Sequence, residues 1–271
     1  MERAVQLRQG TVAQPDTPRH VQRSDTIHTA PTGEEVKNKI SADNPLLVTL
    51  NDPNSPIAEE YRKLKSILVK MTYGDDFKNT LMVTSSIPGE GKSLTAVNLA
   101  VSLAQEYDHT VLLIDADMRR PSVHRYLNIE RKKGLAECLM GEADLSEAII
   151  PTGIGRLSVI TVGFMPPNPA ELISSNRMKE LLEEIKCRYH DRYVIFDTPP
   201  LLPFAETRSL AHLVDGVLFV VKEQLASKAN VKDAIDALKG CDVLGIVYND
   251  TNIAHNLERY YSYRSYATQM T

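Results

Sequence analysis

The chain has 271 residues, 42% of them hydrophobic and 24% charged, with a formal net charge of −4 and a pI near 6.0. That length buries one large core and at most a small appendage. The balance excludes a globally basic nucleic-acid binder, and no apolar run reaches the roughly 18 residues of a membrane span.

Residues 1–45 are rich in Gln, Thr, Pro, His, Asp and Arg. They carry too little apolar surface to offset chain entropy, so the expectation is a flexible polar leader. The first ten residues have no signal-peptide core. Order is expected from Pro45 to Leu50, followed by a helix near residues 56–71. Ser55 is placed as its N-cap, Pro56 as its first residue, and Ile57, Tyr61, Leu64 and Leu68 as one apolar stripe.

Beyond residue 80, short apolar runs alternate with amphipathic stretches. The runs are 81–84, 111–114, 157–162, 193–196, 217–221 and 243–248; helices are expected near 92–107, 169–190, 204–214 and 225–239. Continuous apolar strands separated by helices predict an α/β fold, a three-layer sandwich around a mostly parallel, doubly wound sheet. A single core domain is expected over 46–255, with a separate tail at 256–271. Cys138, Cys187 and Cys241 show neither metal nor redox spacing, so each reads as a small hydrophobe in a reducing compartment.

Three strand ends carry the chemistry. Ser85-Ser-Ile-Pro-Gly-Glu-Gly-Lys-Ser93 follows a strand and opens a helix, the context of a P-loop. Glycines permit the turn and aim backbone N–H groups at phosphate oxygens, reinforced by the helix N-terminus. Pro88, Gly89, Glu90, Gly91, Lys92, Ser93 and Leu94 are the expected nucleotide-binding residues, with Lys92 on the β/γ-phosphates and Ser93 on Mg2+. Ser86 stands where G-x-x-x-x-G-K-[ST] has its first glycine.

The second strand ends in Asp115-Ala-Asp117, the third in Asp197-Thr-Pro-Pro200. Residues i and i+2 of a strand share a side, so Asp115 and Asp117 are expected to converge at the sheet edge where such folds bind ligands. Paired carboxylates repel unless a cation intervenes, and Mg2+ suits them. The alternative for Asp-x-Asp is a polar strand exit. Asp197 fits a Walker B aspartate, and the two prolines stop strand pairing after it.

Together these segments resemble the bacterial tyrosine kinases of polysaccharide synthesis. That family keeps a Walker A, an A′ strand ending Asp-x-Asp-x-Arg, here Asp115 to Arg119, and a Walker B ending Asp-Thr-Pro-Pro. Gly163-Phe-Met-Pro-Pro-Asn-Pro-Ala-Glu-Leu-Ile173 is similar to the family's G-x-x-P-P-N-P-x-E-L-L segment. The resemblance covers about residues 55–266. It implies an ATP- and Mg2+-dependent kinase that phosphorylates its own terminal tyrosines in trans, here Tyr260, Tyr261, Tyr263 and Tyr266. By the same similarity Lys92, Asp115, Asp117 and Asp197 are catalytic, and Ser93, Asp117 and Asp197 hold metal; Asp115 is favoured as base. Arg119 is left between a phosphate contact and a structural ion pair.

Glu59, Arg62 and Lys65 are similar to the family's Glu-x-x-Arg-x-x-Arg, linked to ring assembly, with lysine in the last place and its bidentate fork lost. The resemblance implies a ring-like homo-oligomer, a membrane chain-length regulator as activator, a tyrosine phosphatase as partner, and a cytoplasmic protein recruited to the inner membrane face. The competing readings are a MinD/ParA-type ATPase switch, whose signature lysine is replaced here by Ile87, and a nucleotide-binding scaffold. The tail tyrosines also read as an aromatic stripe packed on the domain. Asn249 is a candidate for adenine recognition.

Overall fold

Apolar strand runs with no polar alternation need cover on both faces, and the computed structural model supplies it. It describes residues 44–74, 77–106, 109–188 and 192–251. In chain order the elements are α1 (Val48–Asn51), α2 (Pro56–Thr72), β1 (Thr80–Ser85), α3 (Lys92–Ala104), β2 (Thr110–Asp115), α4 (Val123–Tyr126), α5 (Leu135–Met140), α6 (Leu145–Ala148), β3 (Ile150–Pro151), β4 (Leu157–Ile160), α7 (Pro169–Ile173), α8 (Asn176–Arg188), β5 (Arg192–Asp197), α9 (Ala205–Ala211), β6 (Gly216–Lys222), α10 (Lys228–Asp236) and β7 (Val243–Asn249). The sheet order is β3-β4-β2-β5-β1-β6-β7. Every pairing is parallel except β3 with β4, so the doubly wound α/β sandwich is the fold.

Alternation along each strand divides the core in two. Met82, Leu112, Ile114, Val194, Phe196 and Phe219 face α5, α8, α9 and α10. Leu81, Val83, Val111, Leu113, Tyr193 and Ile195 face α3, behind which α1 and α2 lie. Helix α3 is therefore buried almost all round, from Thr95 to Ala104, which explains why its apolar residues form no single stripe.

Several local expectations needed correction. The strand expected over 157–162 stops at Ile160, because the carbonyls of Thr161 and Val162 accept from Leu135 N (2.8 Å) and Ala136 N (3.0 Å) at the start of α5. The helix expected over 169–190 is two helices. Ser175 breaks it: its Oγ accepts from Met178 N at 3.2 Å, capping a new start. On α2, Ser55 caps as expected, accepting from Ala58 N at 3.1 Å. Leu68 is buried, but Ile57 is 46% exposed, so the stripe is narrower than its spacing implied. The leader and the tail tyrosines lie outside the described residues.

Asn98, with no exposed surface, ties the leading segment to α3. Its Oδ1 accepts from Thr49 N (3.2 Å) and Thr49 Oγ1 (3.0 Å), and its Nδ2 donates to Leu46 O (3.0 Å) and Leu94 O (3.1 Å). Asn98→Ala strands buried partners and should cost about 2–3 kcal/mol, read as a lower urea midpoint at unchanged slope. A variant as stable as the parent would show that α1 contributes no stability.

Candidate active site

Three parallel neighbours, β2, β5 and β1, bring their C-terminal ends together at the middle of the sheet. Asp115 stands directly opposite Asp197 in the β2–β5 register. The loop between β1 and α3 closes over the same edge, where sheet order makes ligand sites.

That loop is braced from inside. Gly89 and Gly91 both hold φ of 91°, in the left-handed region. A Cβ on Gly91 would sit 2.1 Å from Asn249 Nδ2, so a side chain there would displace Asn249 as well as strain the turn. Glu90 turns its side chain inward and is fully buried. Its Oε2 accepts from Ser86 Oγ (2.7 Å) and Ile87 N (2.8 Å). Ser86 lies outside the left-handed region, so a serine at the usual glycine position costs no strain. Asn249, the last residue of β7, donates from Nδ2 to Glu90 O at 2.9 Å. Its side chain thus supports the loop's backbone, a role that its position at a strand end did not signal.

Lys92 and Ser93 open α3. Lys92 Nζ donates to Asp117 Oδ2 at 2.9 Å and to Ser93 Oγ at 3.3 Å. Burial pulls the Lys92 ammonium down, but Asp197, Asp117 and Asp115 outweigh it and hold it above its ordinary value. It is a cation at any physiological pH.

The A′ pair meets for a different reason than strand alternation. Strand β2 ends at Asp115, and Asp117 lies beyond it. A turn joins them: Asp117 N donates to Asp115 Oδ1 at 3.2 Å. Asp115 Oδ2 accepts from Ser122 N (3.0 Å) and Val123 N (3.1 Å), and Asp117 Oδ1 accepts from Arg120 N (2.9 Å). These carboxylates fold the 117–123 segment around themselves. Burial, then the charge of Asp197, raises Asp115 well above the carboxylate range against the pull of the Val123 and Ser122 amides.

Asp197 differs. It has no exposed surface, and neither carboxylate oxygen has a hydrogen-bond partner. Burial raises its pKa to about 6; Lys92 and the nearby Ser93 hydroxyl lower it but do not offset the desolvation. Ser93 is close enough to be felt without completing a hydrogen bond at Asp197. An orphaned buried carboxylate beside a hydroxyl is the donor set expected of a magnesium–nucleotide site. Among the described residues no group of three or more His, Cys, Asp or Glu side chains could hold an ion alone, which fits an ion that takes phosphate and water for its other ligands.

Arg119 is a structural tie. Its Nε donates to the buried Glu206 Oε1 at 2.5 Å, and its guanidinium lies 4.5 Å from the Phe204 ring centroid. It thereby joins the A′ loop to the segment after Walker B. Tyr126 on α4 was not anticipated. Its phenol is raised first by burial and then by Asp197, and lowered by Lys92, which places it near the cluster. Away from the site, Arg62 pairs with Glu59 and Lys65 with Glu106, at 2.5 and 2.6 Å.

A family model described as ParA: NUBPL iron-transfer P-loop NTPase matches residues 76–264. The tyrosine-protein kinase YwqD of Bacillus subtilis is 38% identical over 82% of this chain and 93% of its own. The putative tyrosine-protein kinase CapB of Staphylococcus aureus is 32% identical over 83% and 97%. Among solved structures, the kinase domain of Escherichia coli tyrosine kinase ETK superposes with a TM-score of 0.70 at 32% identity, covering 77% of this chain and 82% of that one. MinD of Pyrococcus horikoshii with Mg-ADP gives 0.55 at 22% identity over 65% and 72%, a likeness of fold.

The Asp197 pKa fixes a pH dependence. The folded state holds this proton to about pH 6, whereas an unfolded aspartate releases it near 3.9. The folded state binds more protons between these values, so stability falls as pH rises through that window and stays lower above it. Asp197→Asn should therefore stabilise the nucleotide-free protein by roughly 2–3 kcal/mol at pH 7, with the gain shrinking towards pH 4. Thermal melts across pH 4–8 read it. A destabilised variant at pH 7 would show that the carboxylate is not strained there.

Proposed function

The chain belongs to the bacterial tyrosine kinases, a family on the ParA-type P-loop fold, and from that premise we propose that it transfers the γ-phosphoryl group of ATP to tyrosines of its own C-terminal segment in another copy. It is a tyrosine-protein kinase by kinship. The observation that carries the finer reading is the Lys92, Asp115, Asp117 and Asp197 cluster, buried at one sheet edge over the P-loop.

Lys92 and the P-loop amides hold the phosphates and draw charge from the transferring group. Asp197, Ser93 and Asp117 would hold magnesium, which when bound supplies further neutralisation of phosphate charge. The tyrosine oxygen bonds to the γ-phosphorus as the bond to the ADP oxygen breaks, and the phenolic proton passes to a carboxylate of the A′ pair. Burial makes Asp115 a strong base once ionised; Asp117 is the member engaged by Lys92. A free tyrosine with pKa near 10 is almost wholly protonated at neutral pH, so positioning supplies much of the rate.

Tyr260, Tyr261, Tyr263 and Tyr266 are the proposed acceptors. Each phosphate adds about −1.5 to −2 charge, which weakens the tail's fit to an acidic cluster and breaks a ring-like oligomer, cycling it during polysaccharide assembly. Glu59, Arg62 and Lys65 are proposed for that interface, with their present pairs exchanged for intersubunit ones. Among the described residues no helix is long and apolar enough to cross a membrane. A membrane chain-length regulator as activator and a phosphatase that resets the tail complete the reading, by kinship.

Mixing separates the possibilities. A Lys92→Ala chain with intact tyrosines is incubated with Mg·ATP and a chain whose four tail tyrosines are phenylalanine. Transfer in trans puts phosphotyrosine on the Lys92→Ala chain, while Lys92→Ala alone loses about 10²-fold or more in labelling rate. Release of ADP and phosphate with no labelled protein would favour an ATPase switch instead.

A further inference from the structure

Further along the same C-terminal edge of the sheet, at its β6–β7 end, lies a second feature that the transfer chemistry does not use. Where β6 ends, α10 begins and β7 finishes, a groove of about 360 Å3 opens. Val221, Val231 and the Tyr248 ring give it apolar walls, and Lys222, Lys228 and Lys232 stand around it. Tyr248 is 58% exposed, as is Ile246 two residues earlier on the same strand face. Lys222 is engaged by Asp250 at 2.7 Å. Lys228 and Lys232, one turn apart on α10, are exposed and have neither ion pair nor hydrogen bond among the described residues.

This pairing of chemistries is selective. A carboxylate-rich peptide would satisfy the lysines and leave the apolar walls wet. A purely apolar segment would cover the walls and gain nothing from two unpaired ammonium groups. A phosphorylated phenol matches both, with a ring for Tyr248 and the valines and a dianion for Lys228 and Lys232.

The chain itself carries the matching group at the right distance. Asn249 ends β7 beside the groove, and Tyr260 follows eleven residues later. Eleven extended residues span up to about 36–40 Å, ample to fold back. We propose that this groove docks a phosphotyrosine of the same chain's C-terminal segment. The proposal rests on the reading of that segment as phosphoacceptor. Before transfer the tail brings only Glu258 against Arg259 and Arg264, and the lysines have no reason to hold it. After transfer it is drawn to its own α10 and away from a neighbour's catalytic edge, so the groove makes release of the product tail directional.

The test uses the full, dephosphorylated chain saturated with Mg·ADP, which blocks the P-loop as a rival anion site. Labelled synthetic peptides of residues 256–268, with or without phosphate on Tyr260 and Tyr263, are titrated by fluorescence anisotropy. The phosphopeptide should bind about tenfold or more tighter than the plain one. K228E/K232E should erase that preference at unchanged melting temperature, and Y248A should weaken the phosphopeptide alone. A chain shown by mass spectrometry to carry tail phosphate should exclude the added phosphopeptide. Equal binding of the two peptides, an unaffected K228E/K232E variant, equally tight binding of a phosphate-free glutamate-rich peptide, or no exclusion by the chain's own phosphorylated tail would each overturn it. Because the peptide arrives already phosphorylated, its binding does not depend on the chain's own activity. Failure of self-labelling would instead sink the kinase reading.

Discussion

Three buried carboxylates share one partly buried ammonium. Lys92 is hydrogen-bonded to Asp117 and lies in the field of Asp115 and Asp197, so the cluster is short of positive charge. Low dielectric makes that imbalance costly, and the protein meets it in two ways. Backbone amides of residues 117, 122 and 123 converge on Asp115, while Asp197 is left without partners. Asp115 is thus held by the loop that it folds, and Asp197 is left open. The same arrangement that weakens the protein leaves one carboxylate free for the cation proposed above.

The sheet makes this arrangement rigid. Placing β5 between β2 and β1 sets Asp115 and Asp197 in register at one level, and α3 carries Lys92 to the same edge with its length sealed between sheet and α1–α2. Three ties then brace the loops: Glu90 to Ser86 and Ile87 within the P-loop and, between segments far apart in sequence, Asn249 to the P-loop carbonyl and Arg119 to Glu206. None uses a helix or strand ladder, and each fixes a loop that would otherwise have only its own turns to hold it. Catalytic loops of such folds need this support because their backbone groups must face the ligand and cannot be spent on one another.

What could be read from the residues alone follows the same division. The six longer strands, the P-loop and the acidic strand ends were legible because apolar runs and glycine-bounded turns are local signals. The two-residue β3 and the four-residue helices were not, since so few residues carry no period. The break at Ser174–Ser175 was hidden because a serine inside an amphipathic pattern is tolerated as often as it caps. Glu90, by its place in the loop, reads as a phosphate neighbour; only the fold shows its carboxylate turned inward. The Arg119–Glu206 pair joins residues 87 positions apart, a distance at which spacing says nothing. Ile57 was misjudged because helical spacing identifies a face without revealing how far the neighbouring layer extends beneath it.

The hydrogen bond from Asn249 to the carbonyl of Glu90 has a mechanical meaning. Asn249 closes β7, the last strand in the described residues, and Glu90 sits in the P-loop. A tug on one is felt by the other through a single contact of 2.9 Å. A ligand that shifts the loop must therefore carry the end of β7 with it or give up this bond.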